Sequence, residues 1–260
     1  MSLAILDAIL AIDWSDIGLA TVETLTMVGG SLFFTVLLGL PLGIVLFLTG
    51  PRQPLAHARL YAFLSLLVNL LRSMPFVILL IAMIPITVLL TGTSIGVAGV
   101  IPPLVIGATP FFARLVETAQ RHGAEVAACG YTSFSEEDGT VMEDAGHAPE
   151  PGFEPDAKKS CFSGESVWLR MDVVVWNKVY RRSFFEENGL RMKPGFRGGE
   201  DDIFWLTALP HASRLAVIPD QLYFYRRKRA GSLSDVWDRD GWFYSMNMDR
   251  LEYVTAYWEK

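Results

Sequence analysis

The first half of the chain contains two long stretches without a charged residue. One runs from residue 24 to residue 51, and the other runs from residue 73 to residue 113. A membrane-spanning helix needs about 20 mainly apolar residues. The second stretch is too long for one span, and a polar Thr-Gly-Thr-Ser turn at residues 91–94 divides it. The pattern therefore predicts about three spans, at residues 22–49, 60–90 and 96–114.

The segments between these spans predict how the chain lies in the membrane. Residues 1–18 form an amphipathic stretch that is predicted to lie along the membrane surface, with Trp14 near the lipid headgroups. Loops that carry Lys and Arg tend to stay in the cytoplasm. Basic residues occur in the 50–60 loop and at the end of the third span, but not in the N-terminal segment. We therefore expect the N-terminus outside, residues 123–260 in the cytoplasm, and membrane lipid around the spans.

The second half of the chain alternates short β-like runs with helix-like segments. Residues 135–166 are rich in Glu, Asp, Gly and Pro, which indicates an exposed acidic loop. Short strands mixed with helices indicate a partial α/β layer with too few strands for a doubly wound sheet. The expected fold class is mixed, an α-helical transmembrane segment joined to a partial α/β soluble half. The predicted strands are 125–131, 173–176, 214–218 and 221–225, and the predicted helices are 181–188, 200–209 and 237–258.

Composition places the boundary between the two halves near His122. Residues 1–122 hold 10 of the 50 charged residues and are neutral overall, whereas residues 123–260 carry the whole net charge of −6. The sequence thus predicts a membrane domain at 1–122 and a cytoplasmic domain at 123–260. Net acidity argues against a nucleic-acid partner. The two cysteines, Cys129 and Cys161, exclude a disulfide framework and match no zinc motif, so no metal site is assigned.

Arg72, Ser73 and Pro75 are the candidate path residues of the predicted membrane bundle. An arginine inside a span can contact a substrate, a partner or a helix end. Alternatively, its long side chain can extend to the cytoplasmic face. Prolines and glycines within the spans indicate a packed bundle around a path, where neighbouring helices satisfy the freed backbone groups.

Three segments of the first half resemble a known family. They are TVETLTMVGGSLFFTVLLGLPLGIVLFLTGP at 21–51, LRSMPFVILLIAMIPITVLLTGTSIG at 71–96 and IPPLVIGATPFFARLVETA at 101–119. In order and spacing they resemble the permease subunit of methionine-type ABC importers. The resemblance implies an inner-membrane homodimer that works with a cytoplasmic ATPase subunit and a substrate-binding lipoprotein for methionine. In that family a coupling helix and two further spans come next, whereas the similarity here stops near residues 120–122.

The sequence Gly198-Gly199-Glu200-Asp201-Asp202 is the main candidate for chemistry in the second half. A flexible glycine pair that opens onto carboxylates can supply a general base or a metal ligand. The alternative is structural, because acidic side chains at a helix N-terminus are stabilised by the helix dipole.

A second resemblance covers roughly residues 124–236. The segments CGYTSFSEEDG at 129–139, VVVWNKVYRRSFFEENGLRM at 173–192 and GGEDDIFWLTALPHASRLAVIPDQLYFYRRKRAGSLS at 198–234 resemble the C-terminal half of family 2 glycosyltransferases. In that family a Glu-Asp pair with Phe three residues after the Asp carries the catalytic base. Glu200, Asp201 and Phe204 match this pattern.

The glycosyltransferase resemblance assigns further roles by position. It implies that Asp201 is the base, that Trp205 and Asp202 lie on the acceptor side, and that an arginine group faces the donor diphosphate. It also implies Mg or Mn and a nucleotide-sugar, but residues 1–122 contain no Asp-x-Asp motif to hold them. The arginine group consists of Arg226, Arg227 and Arg229.

The sequence supports three interpretations, and whether the chain is an enzyme stays open among them. The first is a methionine-type permease component, truncated before its coupling helix, with an unrelated tail. The second is a membrane-tethered family 2 glycosyltransferase of surface-polysaccharide synthesis. The third is a fusion of two incomplete halves without the full activity of either, which the abrupt seam near residues 120–125 favours.

Overall fold

The computed structural model describes residues 13–74, 76–135, 152–154, 172–196, 199–227 and 242–259. The chain forms two compact units. The helical unit comprises residues 1–42 and 56–113, and the αβ unit comprises residues 43–55 and 114–260. The domain boundary that composition predicts at residue 122 stays a prediction.

Four helices account for the apolar half of the chain. Helices α1 and α4 are each long and apolar enough to cross a membrane, whereas α2 and α3 reach that length only as a pair bent by 112°. The described residues thus include two such helices, or three if the bent pair is one span. The bend begins at Met74, whose backbone is extended because a following proline disfavours helix at the residue before it. The four helices are α1 (Trp14–Thr49), α2 (Ala58–Ser73), α3 (Phe76–Thr91) and α4 (Gly96–His122).

The start of α1 differs from the sequence prediction. Residues 14–18, predicted to belong to a separate surface helix, are the first turns of α1, while residues 1–12 lie outside the described residues. Inside the helical unit, α1 and α4 approach closely at Gly39, where a Cβ atom would lie 2.9 Å from Phe112 Cδ1. Small residues permit such close helix packing in membranes. Many large apolar side chains of these helices are exposed, as expected of a surface that faces lipid. Leu89, for example, is 84% exposed.

The described strands of the αβ unit form one mixed sheet in the order β2–β4–β1–β3. β1 lies inside this sheet, parallel to β4 and antiparallel to β3. β2 pairs with the other edge of β4, so three residues of the predicted acidic loop form an edge strand. The rest of that loop lies outside the described residues. The strands are β1 (Val126–Ser135), β2 (Gly152–Glu154), β3 (Lys178–Tyr180) and β4 (Leu215–Arg227).

Two strand predictions need correction. Residues 173–176 form turns rather than a strand, and the strand that pairs with β1 begins at Lys178. The two strands predicted at 214–218 and 221–225 are one strand, β4. The register passes from Cys129 opposite Ile218 to Gly130 opposite Gln221, so the intervening Pro-Asp pair is accommodated as a bulge. Proline, which has no N–H to donate, is tolerated at a bulge.

Three helices lie in the described part of the αβ unit after β1. The first two predicted helices are confirmed as α5 (Arg182–Glu187) and α6 (Glu200–Ala208), and the third predicted helix contains α7 (Trp242–Trp258). Residues 237–241 of that prediction lie outside the described residues. A short 3₁₀ turn at Leu209–His211 follows α6. Side chains from α5, α6, β1 and β4 form one buried cluster, in which Trp205 is the largest member and Phe184 and Phe204 come next. The carboxylates at the start of α6 are therefore carried by a packed scaffold.

Candidate functional site

The candidate path residues lie where α2 ends. Arg72 is half-buried in the last turn of α2, and Ser73 is exposed. The Ser73 hydroxyl donates to the carbonyl oxygen of Leu70 at 2.9 Å, so it satisfies a backbone acceptor at the helix end. Pro75 lies outside the described residues. The path role of these three residues stays a prediction.

A second charged group lies near the end of α4, and sequence reasoning did not single it out. Glu117 is 3% exposed and accepts from Arg114 at 2.7 Å and from Arg121 at 2.6 Å. Spacings of three and four residues place these side chains on one helix face. The i, i+3 and i, i+4 pattern of opposite charges was the signal that could have revealed it. The ion pairs neutralise a carboxylate that would otherwise be buried alone.

The acidic group at residues 200–202 occupies the first turn of α6. Gly199 precedes it with φ +69°, a left-handed conformation that glycine adopts without strain. A Cβ on Gly199 would also lie 1.9 Å from Arg250 Nη1, so a side chain at this position would displace the Arg250 guanidinium group. Arg250, from α7, donates to the Asp202 carboxylate. The structure thus adds a partner that is 48 residues away in the sequence.

Asp201 is held next to the 172–177 turn. Its Oδ2 accepts the Val175 backbone N–H at 3.4 Å. Burial raises the pKa of Asp201, and the Val175 N–H and Lys178 act in the opposite direction. Burial also raises the pKa of Asp202, against the effect of Arg250. A carboxylate with a raised pKa is a better proton acceptor, so Asp201 has the property that a general base requires.

Lys178 is the central cation of this region, and sequence reasoning did not include it. Its ammonium group donates to the carbonyl oxygens of Asp172 and Val174 and, at 2.9 Å, to Asn177 Oδ1. It also lies 5.1 Å from the centroid of the Trp205 ring. Burial lowers the pKa of Lys178 to about 8, while Asp172, Cys129 and Asp201 favour the charged form. Lys178 therefore stabilises the turn whose Val175 N–H donates to Asp201.

The remaining residues of the predicted glycosyltransferase site differ in how exposed they are. Trp205 is 1% exposed and belongs to the core, so its ring can shape a site only through the side chains that cover it, such as Lys178. Glu200 is exposed, as is Arg226 on β4. Arg227 ends β4 and Arg229 lies outside the described residues. The base, acceptor-side and diphosphate-side roles stay predictions.

Aromatic side chains cover the sheet next to the 172–177 turn. The Trp176 ring stacks on Tyr225 at 5.1 Å and packs against Tyr223 at 4.4 Å between centroids. Tyr131 meets the same indole edge-on and donates its hydroxyl to Asp172. Among the described residues, His, Cys, Asp and Glu form no group of three or more that could hold a metal ion. Cys129 is buried, as expected of a packed thiol, and Cys161 lies outside the described residues.

The N-terminal part of the chain is similar to membrane permeases of ABC transporters. The similar proteins are D-methionine transport system permease proteins MetI, and the identity is about 50%. The Salmonella typhimurium protein is 53% identical over 97 residues, which are 37% of this chain and 45% of the relative. The Escherichia coli K12 protein is 52% identical over 97 residues, with the same coverage. The Pasteurella multocida protein is 43% identical over 106 residues, 41% of this chain and 49% of the relative.

Solved structures of the methionine ABC transporter MetNI in inward-facing conformations are also similar. One is 52% identical, with a TM-score of 0.36, over 37% of this chain and 45% of that chain. Another is 44% identical, with a TM-score of 0.36, over 46% of this chain and 51% of that chain. No family model matches the chain.

The chain spans about half the length of the curated relatives it matches. The similarity covers about 40% of the chain, in its N-terminal part. Together with the apolar helices α1 and α4, it indicates an inner-membrane protein. The prediction of a permease-like N-terminal part is therefore confirmed.

Proposed function

We propose that the chain is a methionine-type permease component that inserts in the inner membrane but does not complete a transport cycle. The observation that carries the proposal is the identity of about 50% over 97 residues, confined to the N-terminal part of the chain. Half of a permease is present with its apolar helices, and a different fold comes after it. Homodimerisation and a methionine-delivering lipoprotein belong to the same proposal.

The segment after α4 is the reason to expect that transport is lost. Helix α4 ends at His122, and β1 begins at Val126 and pairs with β3 and β4. In the methionine-type permease family that the first half of the chain resembles, the coupling helix occupies these positions. A segment that forms a strand of a sheet cannot also form that helix. We therefore propose that ATP hydrolysis by a partner subunit cannot be coupled to movement of the membrane helices.

Co-purification tests this proposal. We expect the tagged full-length chain to be found in the inner membrane and to recover no methionine-importer ATPase subunit, because the docking helix is replaced. The Escherichia coli K12 permease, tagged in the same way and expressed with the same ATPase, is the positive control. Stoichiometric recovery of the ATPase, with ATP-dependent methionine uptake, would contradict the proposal. The intact mass of the membrane product checks that the full chain is present.

A second candidate function, sugar transfer by the αβ unit, is favoured by one observation. Asp201 lies in the first turn of α6, accepts a backbone N–H and has a raised pKa. We propose it as the base for an acceptor hydroxyl, if another chain supplies the donor site with Mg or Mn and the nucleotide-sugar. This candidate is a membrane-tethered enzyme of surface-polysaccharide synthesis.

The second candidate predicts a specific loss of activity. Native membranes that contain the full chain and the chain with the donor site should release nucleoside diphosphate from a nucleotide-sugar. Asp201→Asn should reduce the rate by about 100-fold or more, the usual contribution of a general base. Asp249→Asn, which changes an exposed carboxylate on α7, is the matched control and should retain the rate. A release rate that is the same in both variants would remove Asp201 as the base.

A further inference from the structure

The αβ unit contains an open apolar cavity to which neither proposed function assigns a ligand. Its volume is about 640 Å³, within the roughly 300–1,000 Å³ range of small-molecule pockets in proteins. Leu190, Met192 and Phe204 are among the apolar side chains that line it. The cavity lies between α5, the segment that follows it, and α6, so it is built from elements of one unit.

The aromatic wall of the cavity is held in place by its own contacts. Phe185 stacks on Phe204 at 5.5 Å between centroids, and Tyr180 meets both rings edge-on, at 5.2 Å and 5.8 Å. Three rings that interlock in this way make a preformed apolar surface. Such a surface favours a ligand with a large hydrocarbon part.

The polar groups of the cavity are mainly donors. The Tyr180 hydroxyl is buried and has no hydrogen-bond partner among the described residues. Arg191 donates one N–H to the carbonyl oxygen of Leu190, which leaves further guanidinium donors. Arg182 also borders the cavity, but it is paired with Glu186 at 2.7 Å. The ionised lining residues, two arginines and one glutamate, therefore leave one net positive charge.

We propose that this cavity binds a long-chain fatty acid. The hydrocarbon tail lies against the aromatic wall, and the carboxylate accepts hydrogen bonds from the guanidinium group of Arg191. Charge complementarity selects an anion over a neutral lipid, because a guanidinium donates strongly to a carboxylate. The proposal is independent of transport and of sugar transfer.

Photolabelling of the full chain tests the proposal. The protein is held in an amphipol, because free detergent would compete for the cavity, and the probe is a palmitate analogue with a diazirine near its methyl end. We expect saturable labelling that unlabelled palmitate displaces, with labelled peptides from residues 180–204. Labelling confined to peptides of residues 14–122, or labelling that palmitate does not displace, would overturn the proposal.

Two pairs of variants distinguish the contribution of the hydrocarbon tail to binding from that of the carboxylate. Met192→Trp places an indole in the cavity and should reduce labelling about tenfold, whereas Met248→Trp, at an exposed methionine outside the cavity, should not. Arg191→Gln should weaken probe binding roughly threefold, the usual effect of an exposed ion pair. Arg214→Gln, at an exposed arginine elsewhere in the unit, should leave it unchanged.

The conservative variant Tyr180→Phe keeps the ring and removes only the hydroxyl. It should leave probe binding and the position of the labelled peptides unchanged, because the aromatic wall is intact and the hydroxyl is buried away from the cavity. A matching long-chain alcohol probe should label the cavity less than the acid does. Equal labelling by acid and alcohol, or equal labelling of Met192→Trp and Met248→Trp, would show that the cavity does not bind a fatty acid.

Discussion

Trp205→Ala is expected to lower the free energy of unfolding of the αβ unit by about 3–5 kcal/mol, as the removal of a large core aromatic side chain does. The Trp205 ring is 1% exposed and lies in the cluster that joins α5, α6, β1 and β4. One face of the ring also lies under the Lys178 ammonium, 5.1 Å from the centroid. Truncation leaves a cavity and exposes a buried cation to it, so the loss falls at the high end of single substitutions.

The alkylation rate of Cys129 measures this loss in the full chain. The Cys129 thiol is 1% exposed on β1, so a thiol reagent reaches it only when the αβ unit opens. A loss of about 3 kcal/mol should raise the rate at the Cys129 peptide roughly a hundredfold. Trp258→Ala is the matched control, because Trp258 is 38% exposed and its indole N–H donates to the Leu206 carbonyl oxygen near the protein surface. Similar rates in the two variants would contradict the role of Trp205 in the core.

The apolar helices could be predicted because the run of apolar residues is a local property. Residues 22–49 and 96–114 lie inside α1 and α4, whose ends extend beyond the predicted spans. The second span was predicted as one segment from its apolar residues, although it contains Arg72. Its division between α2 and α3 depends on one extended residue, Met74, which hydropathy does not detect. Backbone restriction before a proline was the local signal that indicated the break.

The αβ unit was harder to predict because long-range contacts decide its strands. Residues 173–176 have the β-branched composition of a strand, yet the Lys178 ammonium binds the carbonyl oxygens of Asp172 and Val174 and holds them in a turn. β-propensity is a weak preference that such contacts override. The merging of two predicted strands into β4 likewise depends on pairing with β1, nearly 90 residues earlier in the chain.

Only part of the candidate site could be predicted, because long-range contacts also determine its other residues. The acidic first turn of α6 could be read from Glu200, Asp201 and Asp202, because helix starts carry acidic side chains. The partners of these carboxylates could not be predicted from the sequence, since Val175 lies 26 residues before Asp201 and Arg250 lies 48 residues after Asp202. Lys178 was missed because a single lysine after a β-like run gives no sign that it will be buried.

Burial of Lys178 makes the stability of the αβ unit depend on pH. The pKa of Lys178 is about 8 in the folded chain, below its ordinary value of 10.5. Between these values the unfolded chain binds more protons than the folded chain, so stability rises with pH by up to about 1.4 kcal/mol per pH unit. Burial also raises the pKa of Tyr180, which removes stability once pH exceeds the ordinary tyrosine value of 10.0. The rise should therefore appear between about pH 8 and pH 10.

Urea unfolding of the full chain in a neutral detergent, followed by tryptophan fluorescence, measures this dependence. Six of the seven tryptophans follow residue 122, so the signal comes mainly from the αβ unit. We expect the free energy of unfolding to rise by about 2 kcal/mol from pH 8 to pH 10, and Lys178→Met to abolish the rise because no buried ammonium remains to titrate. Lys178→Met should also destabilise the unit at pH 7, since buried oxygens of the 172–177 turn lose their donor. Lys193→Met, at an exposed lysine, should keep the pH dependence; a slope that persists in Lys178→Met would assign the titration to another group.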